Sequence, residues 1–120
     1  MRLKIKRRQK YNAKPTEYKG KKYDSKAEAL YASQLDSLKD NGEIYLWLRQ
    51  TPFDLGEDTR YRADFFVIEG NGTFYAVDVK GVETASFKKI KKLWHKYAEM
   101  PLHIVKKNKV VEVICPKHHQ

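Results

Sequence analysis

Apolar side chains recur along this chain with two periods, and the alternation between them lays out the elements. Over residues 25–39, Tyr31, Leu35 and Leu38 return at helical spacing and Asn41-Gly42 supplies a stop, which predicts a first helix. Residues 43–50 put Ile44, Leu46 and Leu48 on one side of an extended chain and Tyr45 and Trp47 on the other. Large residues on both faces predict a central strand between helices; Pro52 should weaken it, and residues 54–59 read as loop. Two more apolar runs, 65–68 and 74–79, flank Gly70-Asn71-Gly72 and read as a β-hairpin. A second helix follows, capped by Thr84 or Ser86, with Phe87, Ile90, Trp94 and Tyr97 as its buried stripe and Pro101 at its end. Residues 102–105 and 110–114 are short strands around a turn at 106–109. Helix, three strands, helix, strand is an α/β order, an αβββαβ core. Its sheet should be mixed, because tight hairpins pair antiparallel while the strand after the second helix can return parallel.

Length and charge change this picture at one end. The 120 residues suit one domain, here 15–120, preceded by a basic and mobile arm over 1–14. Residues 1–26 hold 11 lysines and arginines against Glu17 and Asp24, so they supply +9 of the net charge of +10. Such an excess points to a polyanion, DNA before an anionic membrane surface, and Arg7, Arg8 and Lys10 are the expected phosphate contacts of the arm. Tyr11, Tyr18 and Tyr23 interleave with these charges and can either stack on bases or close a short hairpin around Lys19-Gly20. No apolar run nears the roughly 20 residues that span a bilayer, and no signal-type segment follows the N-terminus, so a soluble cytoplasmic protein without membrane partners is expected. Cys115 has no partner cysteine and reads as a strand-end residue, while His95, His103, His118 and His119 carry no chemistry that the chain needs.

Candidate chemistry sits in the hairpin. Each strand carries one aspartate, Asp64 and Asp78, and Lys80 shares a side with Asp78 because strand side chains alternate. A two-residue turn would set Asp64 opposite Val79. A three-residue turn, 70–72 with Gly72 left-handed, pairs Glu69 with Thr73 and sets Asp64 opposite Asp78. Facing carboxylates repel unless a cation joins them, so the second register is expected, with a divalent metal between the pair. Glu28 lies three residues before Tyr31 on the core side of the first helix. Two roles are open to it: the return partner of a Ser25-x-x-Glu28 capping box, or a third carboxylate of the site. Oxygen ligands without histidine or cysteine suit Mg²⁺ or Mn²⁺, with Asp64, Asp78 and Glu28 as metal residues and Lys80 as the group that orients or deprotonates water.

Asp64 followed by Asp78-Val79-Lys80 at the end of the next strand, behind a helix carrying Glu28, resembles the PD-(D/E)XK nuclease superfamily, the restriction-endonuclease-like fold. Lys10-Tyr11-Asn12-Ala13-Lys14, the run from Tyr23 to Ala29 and Val77-Asp78-Val79-Lys80-Gly81 further resemble a family of small phage and prophage proteins of unknown function with a predicted nuclease core. The likeness covers about residues 10–105, with Ala63 where the superfamily name has proline. It implies Mg²⁺-dependent DNA cleavage, metal-ligand roles for Asp64 and Asp78, the catalytic lysine at Lys80 and an accessory acid at Glu28. A branched-DNA or Holliday junction resolvase is the more specific form; cutting two strands symmetrically, it would act as a homodimer. A DNA-binding module without catalysis is the reading from another class.

Lys88, Lys92 and Lys96 fall at four-residue spacing on one side of the second helix, and no acid of that helix interrupts them before Glu99. Unrelieved, such a row is expected to contact phosphates. Replacing any one of the three with alanine should weaken DNA binding alike for all sequences and make its salt dependence shallower by about one unit of log–log slope, measured by titration across salt concentrations.

Overall fold

The structure is a computed structural model and describes residues 14–117. Arg7, Arg8 and Lys10 of the basic arm, and His118 and His119, lie outside the described residues. The chain opens with a small hairpin, β1 (Thr16–Tyr18) and β2 (Lys21–Tyr23), around Lys19-Gly20, whose φ values of 51° and 78° give the two left-handed residues of a tight turn. Asp36 of the following helix fastens this hairpin: its carboxylate accepts from the Tyr18 hydroxyl at 2.6 Å and Trp47 Nε1 at 3.0 Å and pairs with Lys19 Nζ at 3.2 Å. Burial pushes the Asp36 carboxyl up, but the bonds from Tyr18, Lys19 and Trp47 together outweigh it and hold the group below its ordinary range.

α1 (Lys26–Asp40) starts where the sequence places it. Ser25 is the N-cap, and its hydroxyl accepts the Glu28 backbone N–H at 3.1 Å. β3 (Ile44–Asp54), β4 (Arg60–Glu69), β5 (Phe74–Val79), β6 (Leu102–Lys106) and β7 (Lys109–Ile114) form one sheet in that order. All neighbours pair antiparallel except β5 and β6, which are joined through α2 (Ala85–Tyr97) and run parallel. The mixed α/β sheet is therefore the expected one. α1 covers one face with Ala29, Ala32 and Leu35 against Phe65, Val67, Val77 and Val79. α2 covers the other with Phe87, Leu93 and Trp94 against Ala63, Ala76, Leu102 and Ile104. Among the described residues no helix is long and apolar enough to cross a membrane.

Several expectations need correction. β3 is an edge strand and not a central one, and it runs through Pro52, which pairs with Arg62. An edge strand leaves alternate N–H groups outside any ladder, so the donor that proline lacks is not missed there. Tyr45, expected in the core, is 70 % exposed for the same reason, while Trp47 is packed against Phe65. On α2, Leu93 is buried in place of Tyr97, which is 41 % exposed and donates its hydroxyl to Glu57 Oε2 at 2.9 Å. His103 lies half-buried on β6 and stacks on Tyr75 with ring centres 4.0 Å apart, and burial pulls its pKa down.

The β4–β5 turn has the three-residue form. Glu69 N–H donates to Thr73 O at 2.7 Å, Gly72 N–H to Glu69 O at 2.9 Å, and Gly72 has φ 92°. Gly70 is glycine for a different reason, close approach. Its N–H donates to Glu43 O at 2.8 Å, and a Cβ there would stand 2.6 Å from Gly42 O. Because the obstacle is backbone, Gly70→Ala is expected to lower stability by about 1–3 kcal/mol in denaturant unfolding.

Candidate active site

Four cross-strand pairs set the register of β4 and β5: Phe65 pairs with Val77, Phe66 with Ala76, Val67 with Tyr75 and Ile68 with Phe74. Continued by one step, that ladder places Asp64 across from Asp78. β3 extends the same rung, since Arg49 pairs with Phe65 and Thr51 with Ala63, which leaves Gln50 across from Asp64. The rung Gln50, Asp64, Asp78 thus crosses three adjacent strands.

It is also where β3 and β4 exchange faces. Strand side chains alternate, so residues two apart should share a side. Phe65 and Val67 do, packing under α1, yet Ala63 and Tyr61 pack under α2. On β3, Trp47 joins the α1 core and Phe53 the α2 core. The exchange falls at Gln50, whose φ of 48° departs from strand values while the pairing on either side keeps step.

Asp64, Asp78 and Lys80 meet in a cavity of about 170 Å³ at this point, lined also by Asp24, Gln50, Tyr61 and Arg62. Asp64 Oδ2 accepts the Val79 N–H at 2.8 Å, which ties the carboxylate to the end of β5. Asp78 is 3 % exposed. The Tyr61 hydroxyl donates to its Oδ2, and Lys80 Nζ stands 3.3 Å from its Oδ1. Lys80 is itself held from two sides, by its backbone N–H on Val105 O at 2.8 Å and by the Phe87 ring, 3.8 Å below the ammonium. Glu28, 2 % exposed, is buried at the start of α1 and does not line the cavity. The structure therefore brings three of the four expected residues into the lining of one cavity, and Glu28 is not among that lining.

Tyr61 is among the cavity residues that sequence reasoning did not single out, together with Gln50. Burial, then the nearby Asp78 and Asp64 carboxylates, push its phenol well above the ordinary value, so it stays a neutral donor. Its ring packs against Phe87 and Trp94. Period-two alternation puts residues 61 and 64 on opposite sides of a strand, and only the exchange of faces lets both reach Asp78. Asp24 and Arg62 were equally unmarked, although each adjoins a residue that the sequence singles out.

As a metal site the donors are all oxygen. Asp78 Oδ1 is a buried acceptor with no hydrogen-bond donor aligned on it, the kind of atom that a cation would satisfy. Among the described residues no group of three or more His, Cys, Asp or Glu stands close enough to hold an ion. Mg²⁺ is commonly held by one or two carboxylates with water and phosphate completing its shell, so the two aspartates fit that ion and not a closed protein cage. The lysine row lies exposed on α2, but Lys96 is not unrelieved as the sequence suggested: Glu57, from the loop before β4, meets it at 3.3 Å.

Among known proteins, the family described as "Protein of unknown function (DUF1064)" matches residues 8–112. No curated protein and no solved structure matches the chain.

Tyr61→Phe keeps the ring against Phe87 and Trp94 and removes only the hydroxyl. A buried carboxylate would lose its donor, so the variant is expected to be about 1–3 kcal/mol less stable by denaturant unfolding.

Proposed function

The chain belongs to the DUF1064 family, and we propose that it is a metal-dependent endonuclease that hydrolyses DNA phosphodiesters. The observation that carries this reading is the pair Asp64 and Asp78, opposed across β4 and β5 in a cavity with Lys80 on the Asp78 carboxylate. Asp64 and Asp78 would hold Mg²⁺ or Mn²⁺, and Glu28, buried at the head of α1, would act as the accessory acid. When bound, such an ion polarises a phosphoryl oxygen and lowers the pKa of water.

The protein's own groups do the rest. Tyr61 and the Val79 N–H fix the two carboxylates by one oxygen each, which preserves their geometry without a ligand. Lys80, packed over Phe87 and beside Asp78, presents an ammonium that orients the attacking water and offsets negative charge gathering on the phosphoryl group. Arg62 at the cavity and Lys88 and Lys92 on α2 supply contacts for flanking phosphates. The finer reading is a phage-type nuclease of the PD-(D/E)XK superfamily working in the host cytoplasm on branched DNA during recombination, replication or packaging. As a Holliday junction resolvase it would act as a two-fold homodimer.

The net charge of +10 and the exposed lysines of α2 serve equally a second reading, a DNA-binding module that keeps the fold without catalysis. Both readings meet the same experiment. Linear, flap and four-way DNAs are incubated with the protein and Mg²⁺, Mn²⁺ or chelator, beside Asp78→Asn. Metal-dependent cutting that drops about a thousandfold or more in the variant, with DNA binding retained, is the expected result. Tight binding with no cutting in either metal would leave the non-catalytic module.

A further inference from the structure

We infer that Gln50 contacts the substrate, its carboxamide donating to a non-bridging oxygen of the scissile phosphodiester. The inference rests on the nuclease reading above. Six non-glycine residues among the described ones have left-handed φ, and five of them, Lys19, Glu57, Asp58, Lys107 and Asn108, lie in turns or loops between strands, where such values are ordinary. Gln50 is the exception, since it adopts φ 48° inside β3. A left-handed residue at that point makes the exchange of faces, but glycine would make it without steric conflict, and asparagine or aspartate with less. A long amide side chain there is strained, and it is placed where strain has a use: across from Asp64 on the rung that continues to Asp78, on the wall of the cavity.

The chemistry of the cavity explains why an amide helps. Asp64, Asp78 and Asp24 line it together with Lys80 and Arg62, so an incoming phosphodiester meets three carboxylates against two cations, and Arg62 is assigned above to flanking phosphates. Tyr61's hydroxyl is committed to Asp78, and Lys80 is drawn to the same carboxylate. A neutral donor that neither competes for those acids nor adds charge holds the phosphate in line for attack without displacing a cation from the aspartates.

Kinetics and stability together test it. The unaltered protein, Gln50→Gly and Gln50→Glu are compared on the DNA that the unaltered protein cuts best, with DNA binding in chelator and thermal unfolding run alongside. Gln50→Gly should lower kcat roughly 10- to 100-fold with KM within about threefold, while its melting temperature stays level or rises because the strain is relieved. Gln50→Glu keeps length and volume but has no N–H, and should be slowed at least as much. Full-rate cutting by either variant overturns the inference, and so does a glycine variant whose melting temperature falls in step with its activity, since that marks a purely structural residue. An unaltered protein that cuts none of the DNAs removes the nuclease reading itself, and Gln50's role with it, a failure distinct from the other two.

Discussion

The turn at Gly70-Asn71-Gly72 sets the parity of every side chain below it, and parity decides which residues can meet. With one residue fewer, Asp64 would stand opposite Val79 and each aspartate would face a different layer. The three-residue form is held from outside as well as inside: Gly72 supplies the left-handed position, and Gly70 is clamped against the backbone that leaves α1, its N–H on Glu43 O. The end of the first helix and the tip of the hairpin are thus fastened together. The rung of Gln50, Asp64 and Asp78, midway along β4, thus depends on a contact between two backbones some six residues away.

Bringing two carboxylates together in a partly enclosed cavity is unfavourable unless each is compensated. The compensation is distributed over donors of different kinds: a backbone N–H for Asp64, a phenol and an ammonium for Asp78. Val79 on β5 serves Asp64 on β4, Tyr61 on β4 serves Asp78 on β5, and Lys80 follows Asp78 by two residues, just past the end of β5. The aromatic ring of Phe87 beneath Lys80 and the rings of Phe87 and Trp94 beside Tyr61 then make α2 the support for the donors, just as α1 supports the two strands that carry the acids.

Much of this was legible in the sequence because it rests on short-range rules. Ser25 and Thr84 cap the helices as side-chain chemistry dictates, the Gly-Asn-Gly turn gives the register, and register places Asp64, Asp78 and Lys80. What was not legible depends on long-range position. Whether a strand is central or edge is decided by partners far along the chain, so the large residues of β3 on both sides pointed to a central strand, when in fact Tyr45 faces solvent. Tyr97 looked apolar by spacing, but Glu57 lies across from it and takes its hydroxyl. Tyr61 was invisible for the sharpest reason: alternation is the rule by which strands are read, and β4 suspends that rule at Asp64.

That suspension has a bearing on how the domain comes apart. A five-stranded sheet with a helix on each side has two apolar cores that share only the sheet between them, and two such halves could in principle open separately. Here β3 and β4 contribute their first and second halves to different cores, Trp47 and Phe65 to one, Phe53 and Ala63 to the other. Neither core can loosen without pulling on the ribbon that completes its neighbour. The two layers should therefore melt in one cooperative transition, and slow amide exchange should extend through both helices to a similar degree instead of sorting them into a stable half and a labile one.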